Sequence, residues 1–503
     1  TDASGHYFLK NLPEGNFMME VSSVGYKTVT RSVTLKKGKT LEENFELEED
    51  AIALDGVVVS ANRSETTRRL APTLVNVVDL KLFETTNSST LSQGLNFQPG
   101  VRVGTHCKNC GFQPVRITGL DGPYTQILID SRPVFSALSG VYGLEQIPAS
   151  MIERVEVMRG GGSALFGSSA IAGTINIITK EPLRNSGQLS HTITSIGGSS
   201  AFDNNTSLNA SLVTDDHRAG LYIFGQNRHR SGYDYDGDGF TELPKLKNQT
   251  VGFRSYLKTS TYSKLTFEYH HMQEFRRGGD MLDRPPHEAH IAEQLQHSID
   301  GGSLKYDYFS PNEKNRLSVF ASAANTDRDS YYGPGNDPLK AYGKTTDLTA
   351  MGGVQYVHTF DKCLFMPSDL TAGLEYNRDR LKDNMWGYDR HTDQTVKVYS
   401  AFLQNEWKNK HWGILIGGRL DKHNMVDDVI FSPRANLRFN PTQNINLRLS
   451  YSSGFRAPQA FDEDMHIENV GGTVAMIERA KDLKEEKSQS FSASADMYHR
   501  FGA

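Results

Sequence analysis

From residue 183 onward the chain alternates apolar and polar side chains with a period of two. In SKLTFEYHH, Leu265, Phe267 and Tyr269 fall on one face and Thr266, Glu268 and His270 on the other. INLRLSY sets Ile445, Leu447, Leu449 and Tyr451 against Asn446, Arg448 and Ser450, and DLTAGLEY and HWGILIGG repeat the pattern. The connections alternate in length. Short polar turns at 215–217, 311–313, 409–410 and 440–442 trade with long loops near 229–247, 275–293, 327–345 and 456–486. Roughly fourteen strands of ~10 residues, with short turns at one end and long loops at the other, predict an antiparallel β-barrel that crosses a membrane. A soluble sandwich does not predict that alternation of connections.

Upstream, residues 63–182 read as a mixed α/β domain. A helical stretch from Ser89 stops at Pro99-Gly100, and VRV, VRITGL and TQILIDSRPV read as strands. The stretch from Met151 to Pro182 is predicted to open on a helical turn, MIERVEV. It then crosses a glycine-dense loop, RGGGSALFGSSAIAG, and closes on the strand TINIITK with apolar Ile175, Ile177 and Ile178. Gly160, Gly161 and Gly162 let that loop fold tightly against something else. It is not a phosphate loop, which needs Lys after its last Gly, because Gly167 is followed by Ser168 and Ser169. Residues 1–49 read as a small β-sandwich of short strands such as NFMMEVSSV and RSVTLKK, and residues 50–62 as a linker behind the acidic run at 46–50.

The bulk numbers remove other classes. A net charge of −5 gives no reason to expect a nucleic-acid partner. No run of 18 apolar residues is present, so no transmembrane helix is predicted. The mean hydropathy of −0.50 fits a barrel, whose strands alternate and average out hydrophilic. No nucleophile–base set or paired-carboxylate motif emerges, so an enzyme is not expected. The sequence opens without a start Met or signal peptide, as expected if a leader has been removed or not included. Of three cysteines, Cys107 and Cys110 form a C-x-x-C. In an exported protein a local disulfide is the expected state, while His106 beside the pair keeps a metal site open.

Thirty residues in register carry a family resemblance. Ile152-Glu153-Arg154-Val155-Glu156-Val157, Arg159-Gly160-Gly161, Ser163-Ala164-Leu165-Phe166-Gly167 and Gly173-Thr174-Ile175-Asn176-Ile177-Ile178-Thr179 resemble the end of the plug domain of TonB-dependent outer-membrane transporters. Gly161 replaces the usual Pro and Phe166 the usual Tyr. Arg116-Ile117-Thr118-Gly119-Leu120 and Ile127-Leu128-Ile129-Asp130 match plug spacing as well. Gly5 to Leu9, Leu12 to Gly15 and Val24-Gly25-Tyr26 are similar to a carboxypeptidase-regulatory-like domain with its first strand missing, as precedes the plug in transporters of the Bacteroidetes type.

The resemblance implies a mainly β fold: a barrel, here about fourteen of a usual twenty-two strands, with an α/β plug inside it and a small sandwich in front. It implies the outer membrane of a Gram-negative bacterium, contact with its lipids, and TonB with its inner-membrane energising complex as partner. Leu54, Asp55, Gly56, Val57, Val58 and Val59 read either as the first plug strand or, by position, as a TonB box able to add to a partner's sheet edge. Import of a bulky metal chelate follows, with haem, an iron siderophore or cobalamin as cargo and no cofactor required. The alternative is uptake of a glycan or peptide together with a surface lipoprotein.

Within that frame the candidate cargo residues are His106, Phe112 and Tyr142 in plug loops at 105–112 and 136–142, with Arg456 and His466 in the barrel. Phe455-Arg456-Ala457-Pro458 resembles a barrel box that haem receptors of the family pair with Asn-Pro-Asn/Asp-Leu; here the second box reads Lys481-Asp482-Leu483. Glu156 and Arg159 are expected to pair with barrel-wall charges as a latch. Asp234, Asp236, Asp238 and Glu242, with Gly239 at the sixth position, space hard oxygens as in a calcium loop, although Lys245 stands where a twelfth-position Glu belongs.

Overall fold

The computed structural model of the chain describes residues 7, 9, 12–21, 29–47, 57–64, 66–104, 111, 113–132, 143–334, 341–442, 444–460, 465–470, 473–475, 480 and 482–497. In the N-terminal region β1 (Gly15–Val21) pairs antiparallel with β2 (Val29–Leu35). Residues 41–47, within the expected sandwich, form no strand.

The α/β domain follows as β3 (Val57–Val58), β4 (Thr66–Thr67), β5 (Val75–Asp79), α1 (Leu80–Thr85), α2 (Leu91–Leu95), β6 (Val101–Val103), β7 (Val115–Ile117), β8 (Thr125–Ile129), α3 (Gly143–Gln146), β9 (Ile152–Arg159), α4 (Ser163–Phe166) and β10 (Gly173–Thr179). Its central sheet runs β5-β9-β10-β8, parallel only between β10 and β8. The helical turn expected over Met151–Val157 is instead β9. Ile152 and Val155 satisfy a helical three-residue spacing and Val155 and Val157 a strand's two-residue one, and β-branched side chains between two partner strands favour the extended chain. The helix expected from Ser89 is formed only over α2 and is followed by Gly100 in the left-handed region, φ +76°.

The remaining strands are β11 (Ser186–Ser195), β12 (Phe202–Val213), β13 (Ala219–Arg230), β14 (Lys245–Ser260), β15 (Ser263–Gly279), β16 (Ile291–Phe309), β17 (Asn315–Pro334), β18 (Tyr342–Cys363), β19 (Met366–Met385), β20 (Arg390–Lys408), β21 (Trp412–His423), β22 (Ile430–Thr442), β23 (Ile445–Arg456), β24 (Glu468–Val470), β25 (Thr473–Ala475) and β26 (Glu486–Met497). β24 and β25 form a small hairpin of their own. The other fourteen make one antiparallel sheet in chain order, with β11 and β26 as its two edges among the described residues.

The sheet is dressed inside out relative to a soluble protein. On β23, Leu447 and Leu449 are 40% and 57% exposed while Arg448 is buried at 3% and Asn446 at 0%. On β15, Phe267 and Tyr269 face outward and Thr266 is buried. An apolar exterior suits hydrocarbon, and a polar interior suits a lumen that something else must fill. The α/β domain fills it. Its core of Leu91, Leu95, Ile117, Ile152 and Ile175 extends to Tyr222 and Phe224 of the wall, and Tyr222 Oη donates to Ser150 O at 2.5 Å.

Candidate functional site

Residues 57–73 form a strap between plug core and wall. Val57 and Val58 pair with Thr67 and Thr66 in a two-residue ladder. Glu156 Oε2 accepts the backbone N–H groups of Val59 and Ser60 at 2.9 and 2.8 Å, and its Oε1 pairs with Arg154 at 2.9 Å. Asn176 Nδ2 donates to Ser60 Oγ at 3.0 Å. Beyond Ser60 the strap turns to the wall. Asn62 Nδ2 donates to Glu406 at 2.7 Å, and Arg63 pairs with Glu375 at 2.5 Å, both buried.

Wall side chains also grip the strap's backbone. Arg434 donates to Ala61 O at 2.8 Å, Gln404 to Asn62 O at 2.8 Å and Gln355 to Arg63 O at 3.1 Å. Arg448 donates to Ala71 O and Arg68 O, each at 3.0 Å. A buried carbonyl needs a donor wherever it lies, and long polar side chains from the lumen supply them.

The expected latch is therefore corrected. Glu156 ties the strap to the plug through Val59, Ser60 and Arg154, because it faces inward from the middle of the plug sheet and is 0% exposed. Arg159 donates to the carbonyl of Pro99, also within the plug. Contacts between plug and wall charges come from other residues: Arg63 with Glu375, Asp130 with Arg254 at 2.8 Å, and Glu145 with Arg228, Arg230 and Arg276. Nothing local in the sequence marks Arg63, whose partner is 312 positions away.

The two motifs that carry the resemblance dock on each other. Ser163 Oγ accepts Phe455 N–H at 3.0 Å, Ser169 N–H donates to Phe455 O at 2.8 Å, and Ser168 Oγ accepts Ala457 N–H at 3.3 Å. The glycine-dense loop thus zips onto the Phe-Arg-Ala-Pro segment. Arg456 pairs with Glu486 at 3.2 Å and stacks over the plug's Tyr124, 5.3 Å from the ring centre. It borders a cavity of ≈ 620 Å³ at the long-loop end, together with Arg390, Gln394, Met425, Pro458 and Leu483. That volume lies in the ordinary range of small-molecule sites. His466 packs edge-on against Tyr332 of β17 at 5.1 Å. His106, Phe112 and Tyr142, with Cys107, Cys110, Leu54, Asp55 and Gly56, lie outside the described residues.

In the acidic loop, oxygens of Asp234, Asp236 and Glu242 lie within 4.8 Å of one another. Asp234 also accepts Gly237 and Gly239 N–H, and Asp238 accepts Phe240 N–H at 2.8 Å. Asp238 stands outside the cluster. Three carboxylates over a tight turn fit a hard cation such as calcium.

A lipid-facing sheet of long strands, a plug bound by hydrogen bonds and ion pairs in its lumen, and a strap leading out of that plug define a plugged outer-membrane receptor. Comparison with known families agrees. The profile described as "TonB dependent receptor-like, beta-barrel" matches residues 174–503, "TonB-dependent Receptor Plug Domain" matches 67–174 and "CarboxypepD_reg-like domain" matches 1–59. The chain belongs to the TonB-dependent receptor family, whose members sit in the outer membrane of Gram-negative bacteria and depend on TonB. It is 24% identical over 424 residues to a vitamin B12 transporter, BtuB, of Vibrio vulnificus, covering 81% of this chain and 64% of that relative. It therefore spans just under two-thirds of that relative's length. Among solved structures, the siderophore receptor PirA from Acinetobacter baumannii superposes with a TM-score of 0.72 at 18% identity, over 86% of this chain and 69% of that one. The ferric enterobactin receptor PfeA from Pseudomonas aeruginosa does so with 0.70 at 18% identity, over 85% and 70%. At such identity these structures speak for the fold.

Proposed function

We propose that this chain imports a bulky metal chelate across the outer membrane, with cobalamin or an iron chelate, siderophore or haem, as cargo. The strap carries the reading. One continuous segment runs from Val57–Val59 past Glu156 of the plug core to Glu375 and Glu406 of the wall, so tension applied before Val57 reaches the contacts that keep the plug in the lumen. TonB, energised from the inner membrane, is the partner that supplies this tension by strand addition to the box around Val57. Its pull rearranges the plug, and no catalytic step is involved.

Cargo meets the receptor at the long-loop end, at the cavity beside Arg456 and at the plug loops that hold His106, Phe112 and Tyr142. The curated relative and solved structures above are named for cobalamin and siderophores, which supports the chelate class. If haem is the cargo, His106 and His466 are its ligands, since neutral imidazole suits iron. Calcium at Asp234, Asp236 and Glu242 would order the β13–β14 loop and lower the entropy cost of binding. The exposed aliphatic side chains of the sheet meet lipid, and a surface lipoprotein is a further candidate partner.

Equilibrium binding of cyanocobalamin, a set of ferric siderophores, haem and a neutral oligosaccharide to the purified receptor tests this. Saturable binding of one chelate is expected. Saturation by the oligosaccharide alone would replace the reading with glycan uptake. A Soret shift that survives His106→Ala and His466→Ala would remove those two residues from a haem site.

A further inference from the structure

One carboxylate of the plug is shared by three guanidiniums of the wall. Glu145 on α3 lies 3.3 Å from Arg228, 3.0 Å from Arg230 and 2.6 Å from Arg276, and none of the four side chains is more than 8% exposed. The arginines sit at the long-loop ends of β13 and β15. Asp203 pairs with Arg228 and Glu274 with Arg276, each at 2.6 Å. Three positive charges thus face three negative ones, and this paired set is neutral only with Glu145 in place. Burial raises a carboxyl's pKa, yet the guanidiniums of Arg276, Arg230 and Arg228 outweigh it and hold Glu145 well below the ordinary range.

The same arginines reach the edges of two loops. Arg276 Nη1 donates to Gly111 O at 3.2 Å, at the end of the plug loop 105–112. Helix α3, which carries Glu145, follows directly in sequence on 136–142. Arg230 Nε donates to Pro244 O at 3.2 Å, at the foot of the acidic 234–242 loop.

We propose that Arg228, Arg230 and Arg276 form an anion site which Glu145 occupies in the unloaded receptor, and that a carboxylate or similar oxyanion of the cargo takes its place on loading. Charge makes this an exchange. Departure of Glu145 alone would leave a buried guanidinium uncompensated, which is strongly unfavourable, whereas an incoming anion restores neutrality. Guanidinium forks suit a planar oxyanion and hold it bidentately. After the exchange α3 is no longer tied to the wall by its carboxylate, so cargo at the long-loop end loosens the plug that the strap pulls from the other side. The inference rests on the import reading for the source of the anion, but the exchange is measurable without any cargo.

The experiment is hydrogen–deuterium exchange across 143–151 in the full chain in detergent, titrated with malonate against glycerol at constant ionic strength. Malonate is expected to raise exchange there saturably, by about tenfold, as charge-assisted hydrogen bonds to α3 are lost. Arg276→Gln is expected to abolish the response. Glu145→Gln is expected to show high exchange without malonate and to bind malonate about tenfold more tightly by calorimetry, since its site carries an unfilled anion position. Protection of β15 and β16 reports that each variant is folded, and Arg230→Lys, which keeps the charge but loses the fork, substitutes for one that is not. No malonate effect in the wild type, or an equal effect in a folded Arg276→Gln, overturns the proposal. A malonate response in a receptor that binds no chelate would sink the import reading and leave this site standing.

Discussion

Arg63 of the strap and Glu375 of β19 form a buried ion pair of 2.5 Å, and Arg419 holds the other oxygen of the same carboxylate at 2.6 Å. Removing one partner of such a pair leaves an uncompensated charge, at a cost of roughly 3–5 kcal/mol. Arg63→Ala is therefore expected to weaken plug docking by about that amount. Glu375→Gln should do the same by leaving two guanidiniums facing each other, and the double variant should lose less than the sum. Urea titration followed by a fluorophore on the plug checks this; strict additivity would count against the coupling.

Glu156→Ala deletes the acceptor of two strap N–H groups. Hydrogen bonds to a charged group contribute about 1.5–3 kcal/mol each, so amide exchange at Val59 and Ser60 should rise by at least about tenfold. Barrel strands should keep their protection. Unchanged exchange at both amides would mean that the wall contacts at Asn62 and Arg63 hold the strap unaided.

Asp130 supplies a pH dependence. Its burial raises the carboxyl's pKa, but Arg254 and two hydrogen bonds from Thr179 outweigh it, so the folded value lies below the ordinary one. A depressed carboxyl contributes stability that is fully present above its unfolded pKa, about 3.9, and is lost as pH falls through the folded value. Plug docking should thus be flat from neutral pH down to about 5 and weaken only below about 4. Asp130→Asn, a residue that tolerates the φ of +47° found here, should remove Asp130's share of the acid loss. A loss centred near neutral pH would point to a histidine.

Gly161 lies against the wall with no room for a side chain. A Cβ at this position would lie 2.9 Å from the backbone carbonyl of Ser453 on β23. Gly161→Ala is expected to push the zipped loop off the wall and to cost about 1–3 kcal/mol, the usual range for overpacking. A melting temperature equal to wild type would show that β23 yields at this point.

Most of the fold was legible because a membrane barrel writes its pattern locally. Leu447 and Leu449 point one way and Arg448 the other whatever the rest of the chain does. The plug was legible from spacing, apart from β9, whose Ile and Val positions suit both periods. The site was legible in residue type and largely not in partner. Glu156 was expected to meet a charge on the wall, and only the sheet order reveals that it faces the strap. Arg63 and Glu145 were missed because their partners are remote in sequence. A trace existed in the wall itself, where Arg228 and Arg230 on one strand and Arg276 on another face into the lumen near the same end and require a counter-charge from inside.

The grip of Arg434, Arg448, Gln404 and Gln355 on carbonyls of the strap has an evolutionary reading. A peptide carbonyl is the same whichever residue bears it, so this lumen recognises the course of the chain more than its spelling. The carbonyls of Ala61, Arg68 and Ala71 are held in this way, while the side chains of Ala61 and Ala71 are constrained separately by full burial. A receptor lineage can retune how firmly its plug answers a pull, one side chain at a time, without rebuilding the socket that receives it.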